Sequence, residues 1–173
     1  MTGGGLEIER KWLLAEPPSD ADLASLGAHP IRIEQVYLRP TPSAPVRRIR
    51  RSERDGRLDC TYTEKAALSG IVREERERRI DLAEYTRLLA EADADRRPIR
   101  KTRHVFAYAG NTLELDVFEQ PPGIVLLEIE FEREDAPEPG LPPQLNVLRE
   151  VTTDPAYYNV NLARWWFEPT QYD

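Results

Sequence analysis

Apolar and polar residues alternate with period two along most of this chain, and runs with helical spacing are short. Successive side chains of a strand point to opposite faces. The pattern therefore predicts eight strands, over residues 6–14, 31–38, 46–52, 57–65, 71–80, 98–108, 112–119 and 124–134. An Asp55-Gly56 pair between two alternating runs predicts a tight hairpin, and turns are expected at 109–111 and 120–123. The Pro-rich stretches 40–45 and 137–143 read as loops, since Pro cannot donate to a ladder. Helix signals are fewer. Ser19 caps a short helix to Leu26, Asp81-Leu-Ala-Glu84 reads as a capping box opening a helix to about Ala92, and Asp154-Pro155 opens one to about Trp166. An even number of antiparallel strands with charged positions on one face predicts an α+β fold: a closed eight-stranded antiparallel β-barrel with helices packed outside, an arrangement without exposed sheet edges.

The charged positions are sorted by sign. Glu75 with Glu77, Glu114 with Asp116, and Glu128 with Glu130 give acidic strand faces; Arg48 with Arg50, and Lys101 with Arg103, give basic ones. The opposite faces of two acidic strands, Leu113/Leu115/Val117 and Leu127/Ile129/Phe131, are apolar and must pack against something. Ordinary solvent faces mix signs so that cross-strand neighbours attract. Same-sign faces repel within themselves, and a ligand of mixed charge relieves that repulsion. A polyanion with divalent cations is such a ligand, because carboxylates hold the metal while Arg and Lys hold phosphate oxygens.

Composition narrows the function classes. At 173 residues the chain is read as a single domain, residues 1–173, with no internal linker. A formal net charge of −7 argues against duplex nucleic acid as a partner. No run of apolar residues approaches the length of a membrane span. Met1 to Gly5 reads as a short flexible lead without signal-peptide character, so a cytoplasmic location is expected. The single Cys60 reads as a small core residue rather than a nucleophile. Gly3-Gly4-Gly5 lacks the Lys-Ser/Thr of a phosphate loop, and no Cys/His cluster suggests zinc. Arg47, Arg51, Arg76, Arg78 and Glu132 have outward parity or lie past the pattern.

The opening Glu7-x-Glu9-x-Lys11 resembles the ExExK signature of the CYTH superfamily, also called triphosphate tunnel metalloenzymes. The resemblance continues in order and spacing through Arg48/Arg50, Lys65, Glu75/Glu77, Lys101-Thr-Arg103, Glu114-Leu-Asp116-Val-Phe, Glu128-Ile-Glu130-Phe and Glu150-Val-Thr with Asn159. It implies a triphosphate bound inside an eight-stranded tunnel, with Mg²⁺ or Mn²⁺ as cofactor. Carried over position by position, it implies metal ligands at Glu7, Glu9, Glu75, Glu77, Glu114, Asp116, Glu128 and Glu130. It likewise implies a phosphate clamp of Lys11, Arg48, Arg50, Lys65, Lys101 and Arg103, with Glu9, Lys11 and Glu130 nearest the chemistry.

Among the activities of that family, the short layout with ELDVF and EIEF resembles the bacterial inorganic triphosphatases, implying hydrolysis of inorganic triphosphate or a related triphosphate. The alternatives are a class IV adenylyl cyclase and a non-catalytic triphosphate or polyphosphate sensor. A small triphosphate substrate is the expected partner, and a homodimer is left open. The late segment Tyr157-Tyr-Asn159-Val-Asn161 lacks the lysines that flank the Asn of some bacterial members. Its expected role is packing, with Trp165, Trp166 and Phe167 covering one end of the barrel.

Overall fold

The computed structural model describes residues 2–69 and 72–165, with side chains for 7–66 and 74–164. The expected roles of Trp165, Trp166 and Phe167 lie outside the described side chains. Nine strands form one antiparallel sheet: β1 (Thr2–Leu14), β2 (His29–Leu38), β3 (Val46–Arg54), β4 (Arg57–Ser69), β5 (Val72–Ile80), β6 (Ile99–Tyr108), β7 (Asn111–Gln120), β8 (Val125–Glu130) and β9 (Val147–Glu150). The helices α1 (Asp20–Ser25), α2 (Leu82–Leu88) and α3 (Asn159–Trp165) are short. None of the described helices is long and apolar enough to cross a membrane.

The expected closed eight-stranded barrel is corrected on two counts. The sheet has nine strands, in the order β5-β4-β3-β2-β6-β7-β8-β1-β9. It also curls without closing into a barrel, and the reason lies in β1. That strand pairs with β5 only through Thr2–Ile8 and with β8 only through Glu9–Leu13, so no residue of β1 is flanked by both. The edge that β5 would need in order to continue is taken by β9 at Trp12–Leu14. The expected flexible lead is also corrected, since β1 begins at Thr2. Asp154 caps only a 3₁₀ turn over Pro155–Tyr157, and α3 starts afresh at Asn159.

Elsewhere the local chemistry agrees with the pattern. Asp55 and Gly56 both have positive φ, 50° and 74°, which suits the twist of a two-residue hairpin loop. Asp81 accepts from the Glu84 backbone N–H at 2.7 Å, but the Glu84 carboxylate turns to Arg78 rather than closing a reciprocal box.

Period two sorts the side chains into three apolar clusters. On the outer face Trp12, Leu113, Leu115, Leu127 and Ile129 pack beneath α1 and Leu145. Val36, Leu38, Ile49, Cys60 and Ile80 pack beneath Tyr85 and Leu88 of α2. On the inner face, at one end, Tyr37, Ile99, Phe118, Leu126 and Val151 meet Leu162 and Ala163 of α3. This third cluster floors the concave side of the sheet. The loop before β6 ties α3 to it, through Arg97 N–H to the Ala163 carbonyl at 3.1 Å and Arg96 Nε to the Val160 carbonyl at 3.1 Å.

Leu162 is fully buried in that floor. Leu162→Ala should therefore cost about 2–5 kcal/mol in urea unfolding. Leu148→Ala, at a β9 position that is 59% exposed, should cost less than about 0.5 kcal/mol.

Candidate active site

Above the apolar floor the inner face turns polar. A cavity of about 170 Å³ is lined by Glu7, Glu9, Arg48, Arg50, Lys65, Glu75, Glu77, Arg103, Glu114, Glu128, Glu130 and Asn159. Strand parity brings these side chains together from β1, β3, β4, β5, β6, β7 and β8, and the first residue of α3 adds Asn159. A second cavity of about 200 Å³ shares Glu9, Arg48, Lys65 and Asn159 with the first and adds Lys11, Tyr37, Val46, Tyr158 and Val160. On the other side, Glu114 and Glu130 also line a broad outer recess with the Ala109–Thr112 turn and Phe131. Two sequence-derived candidates, Lys101 and Asp116, line none of these spaces. They are fully buried deeper in the sheet, where Lys101 Nζ donates to Asp116 Oδ2 at 2.5 Å and lies 5.0 Å from the centre of the Phe118 ring.

Register explains how so many charges share an interior. Acidic strands lie beside basic residues, so the same-sign faces read in the sequence are neutralised across strands. Lys65 stands opposite Glu75 and bridges Glu75 and Glu7, each at 2.7 Å. Lys11 stands opposite Glu128 and contacts its Oε1 at 2.9 Å, off the hydrogen-bonding axis. Arg103 stands opposite Asp116 and grips it with two hydrogen bonds, at 2.7 and 2.8 Å. Its guanidinium also reaches Glu128 at 2.9 Å, and Glu114. Such pairs have to offset the desolvation of each ion, and losing one partner leaves a buried charge alone.

The titration of these groups follows from burial and partners. Burial alone would raise Glu128, but Lys11, Arg103 and Lys101 hold its carboxyl well below the usual range. Burial of Asp116 is likewise outweighed by Arg103 and Lys101. Burial pulls the Lys101 ammonium down to about 8 despite Asp116. Glu130 is pushed upward, first by burial and then by Glu7, Glu114, Glu75 and Glu9. Burial also raises Glu114, with Arg103 opposing.

Arg48 and Arg50 differ from the other interior cations. Among the described residues, no carboxylate stands within ion-pair distance of either. Arg50 Nε and Nη2 instead donate to the neutral Gln35 Oε1 at 3.2 and 3.0 Å, and Arg48 Nε has no hydrogen-bond partner among the described residues. Burial, then Arg48 and Arg103, pull the Arg50 guanidinium down to about 10.

The carboxylate side has the charge of a cation site. Glu9 and Glu130 are cross-strand neighbours, and their mutual field with Glu7, Glu75 and Glu114 is what a cation would relieve. The oxygen-only donor set fits a hard divalent ion in kind. As the side chains stand, no three carboxylates among the described residues converge closely enough to hold one, because Lys and Arg occupy their oxygens.

The family follows from a match to this same stretch. Residues 5–142 match the CYTH domain model, covering every residue that lines the first cavity except Asn159. The chain belongs to the CYTH domain family. A curated relative, the inorganic triphosphatase of Nitrosomonas europaea, is 34% identical over 160 residues, covering 91% of this chain and 96% of the relative. A second, the inorganic triphosphatase of Acetivibrio thermocellus, is 36% identical over 105 residues, 59% of this chain and 64% of the relative. A crystal structure of an inorganic triphosphatase superposes with a TM-score of 0.55 at 31% identity, over 91% of this chain and 94% of that one. As a CYTH protein, the chain belongs to a family of metal-dependent enzymes.

Sequence reasoning passed over Gln35, Tyr37 and Thr63. All three are buried on the inner face, and Thr63 donates to Glu77 at 2.8 Å. The available signal is a Gln at an inward position of the run Ile31–Leu38, whose other inward positions are Ile31, Ile33 and Tyr37.

Two acidic residues of this site should respond oppositely to removal of charge. Asp116→Asn strips the partner from Lys101 and Arg103, and should cost about 3–5 kcal/mol by urea unfolding. Glu130 has a raised carboxyl, so its favourable contribution is present below the unfolded carboxylate range and lost as pH rises through the raised value. Glu130→Gln mimics the protonated form. The metal-free variant should melt at the same or a higher temperature than the parent at pH 7–8, with the gain vanishing at acid pH.

Proposed function

We propose that this CYTH protein is a metal-dependent triphosphatase that hydrolyses inorganic triphosphate, or a closely related triphosphate, in the polar cavity. The observation that carries this reading is the pairing of buried Arg48 and half-buried Arg50, neither with a carboxylate partner among the described residues, with a rim of carboxylates across a space of about 170 Å³. The names of the relatives support it. Arg48 and Arg50, with Lys65, Lys11 and Arg103 beside them, bind the phosphate oxygens, Arg by its planar fork. Lys101 and Asp116 act from beneath by fixing Arg103. The residues that would hold the cation are drawn from Glu7, Glu9, Glu75, Glu77, Glu114, Glu128 and Glu130, once a bound polyanion draws Lys65 and Arg103 off the carboxylates they hold, with Mg²⁺ or Mn²⁺ as the ion. It would neutralise the charge that builds on the phosphoryl oxygens.

The reaction breaks one phosphoanhydride P–O bond as a water oxygen attacks phosphorus in line, giving pyrophosphate and phosphate. Glu130, whose carboxyl is raised, is suited to take the proton of that water, with Glu9 beside it holding the water in place. The adjoining space with Tyr37, Val46, Tyr158 and Val160 is about 200 Å³, below the range of about 300–1,000 Å³ usual for sites of organic ligands, so a nucleoside finds no room at that mouth.

Phosphate release from inorganic triphosphate should vanish in excess chelator and return with Mg²⁺ or Mn²⁺; release that survives exhaustive chelation would refute the metal-dependent reading. Triphosphate should be cleaved faster than ATP, and ATP should give no cyclic AMP. In steady-state kinetics Glu130→Gln should lower kcat by on the order of a hundredfold, while Arg50→Ala should act mainly on KM. Near-parental turnover in Glu130→Gln would contradict the role given to that residue.

A further inference from the structure

The two cavity arginines without a carboxylate partner among the described residues lie on one strand, and their neighbours on both flanking strands are neutral. Across β2, Arg50 faces Gln35 and Arg48 faces Tyr37; across β4, Arg50 faces Thr61 and Arg48 faces Thr63. The other basic residues that line the two polar cavities or lie beneath them contact acid: Lys11 meets Glu128, Lys65 meets Glu75, and Lys101 and Arg103 meet Asp116. Among these residues, a cation out of reach of any described carboxylate is therefore a feature of β3. Gln35 is fully buried and spends its one acceptor oxygen on two donors of Arg50. That contact fixes the amide, because the reverse orientation would set donor against donor. The Gln35 Nε2 donor is then left with no partner among the described residues. A residue serving stability alone would not leave a buried donor unmet. Gln35 lines neither cavity.

We infer that Gln35 is a positioning residue that aims the Arg50 fork at the substrate phosphates while leaving its charge uncompensated, and that Tyr37 serves Arg48 in the same way. A carboxylate at position 35 would orient Arg50 equally well but would neutralise it before substrate arrives. A neutral acceptor holds the geometry and keeps the charge for the polyanion, which is electrostatic preorganisation by neighbour choice. Tyr37 supplies the same logic one step along: its buried hydroxyl interacts with Arg48, which no carboxylate grips.

This inference rests on the triphosphatase reading, and a double-mutant cycle on Gln35 and Arg50 separates the two. Binding of inorganic triphosphate is measured by calorimetry, turnover by phosphate release, and folding by thermal melting, for the parent, Gln35→Glu, Gln35→Met, Arg50→Ala and the paired variants. Gln35→Glu should weaken triphosphate binding roughly tenfold or more and raise KM alike, with kcat within about threefold and the melting temperature unchanged or higher. In the Arg50→Ala background the same change should move binding by less than about twofold. Parental affinity in Gln35→Glu, or an equal loss with and without Arg50, would overturn the inference alone. A parent that neither binds nor cleaves triphosphate would overturn the proposed function and this inference with it. Should Gln35→Glu fail to melt cooperatively, Gln35→Met in the same cycle decides, with a loss of affinity that must disappear once Arg50 is gone.

Discussion

Neutralising charge inside a sheet is the constraint on which this molecule depends. A carboxylate or ammonium taken out of water costs several kcal/mol unless a partner stands within contact distance, and the inner face carries both kinds in quantity. Antiparallel register delivers several of these partners, because it sets residues directly opposite one another at fixed spacing. Lys65 opposite Glu75 and Arg103 opposite Asp116 are placed by strand pairing rather than by loop geometry. A slip of one residue in either ladder would turn these charges to the outer face and bring Ala66 or Thr102 inward, so the ion pairs and the apolar outer clusters enforce the same register.

The same ladders set depth as well as face. Moving from the floor toward the recess along β6, β7 and β8, the inner residues run from Ile99, Phe118 and Leu126 through Lys101, Asp116 and Glu128 to Arg103, Glu114 and Glu130. Low dielectric strengthens every electrostatic contact near the floor, while the rim stays accessible. Lys101 and Asp116 lie on the floor side and behave as a closed pair. Glu130 lies on the rim, with like charges around it and a raised carboxyl. One strand pattern thus yields structural ions at one end and available ligands at the other.

Much of this was legible in the sequence, and the remainder has identifiable causes. Inward parity was visible at Glu7, Arg48, Lys65 and Glu128, because alternation is a local property. Depth was not, so Lys101 reads like Arg103 although only Arg103 meets the cavity. The ninth strand has four residues with mostly exposed side chains, too short and too polar for its period to stand out. Closure of the sheet depends on which strand meets each end of β1, a pairing across distant sequence that no local pattern encodes. The Asp154-Pro155 cap was read correctly as a start, but Tyr158 leaves helical geometry and confines the first element to a single 3₁₀ turn.

The sign pattern was right in its location and incomplete in its reason. Same-sign strand faces suggest repulsion that only a ligand could relieve, yet most of that repulsion is already answered by the adjacent strand. What distinguishes β3 is the chemistry of its neighbours. The Arg48/Arg50 pair on β3 looks, in sequence, like the Lys101/Arg103 pair on β6. The first faces Gln35, Tyr37, Thr61 and Thr63, while the second shares Asp116. A cation held by a carboxylate has little field left to offer an anion, whereas one held by an amide or a hydroxyl keeps nearly all of it. The proposed anion-binding strand is thus marked by a neutral hydrogen-bond acceptor opposite an arginine, and in this chain that acceptor is Gln35.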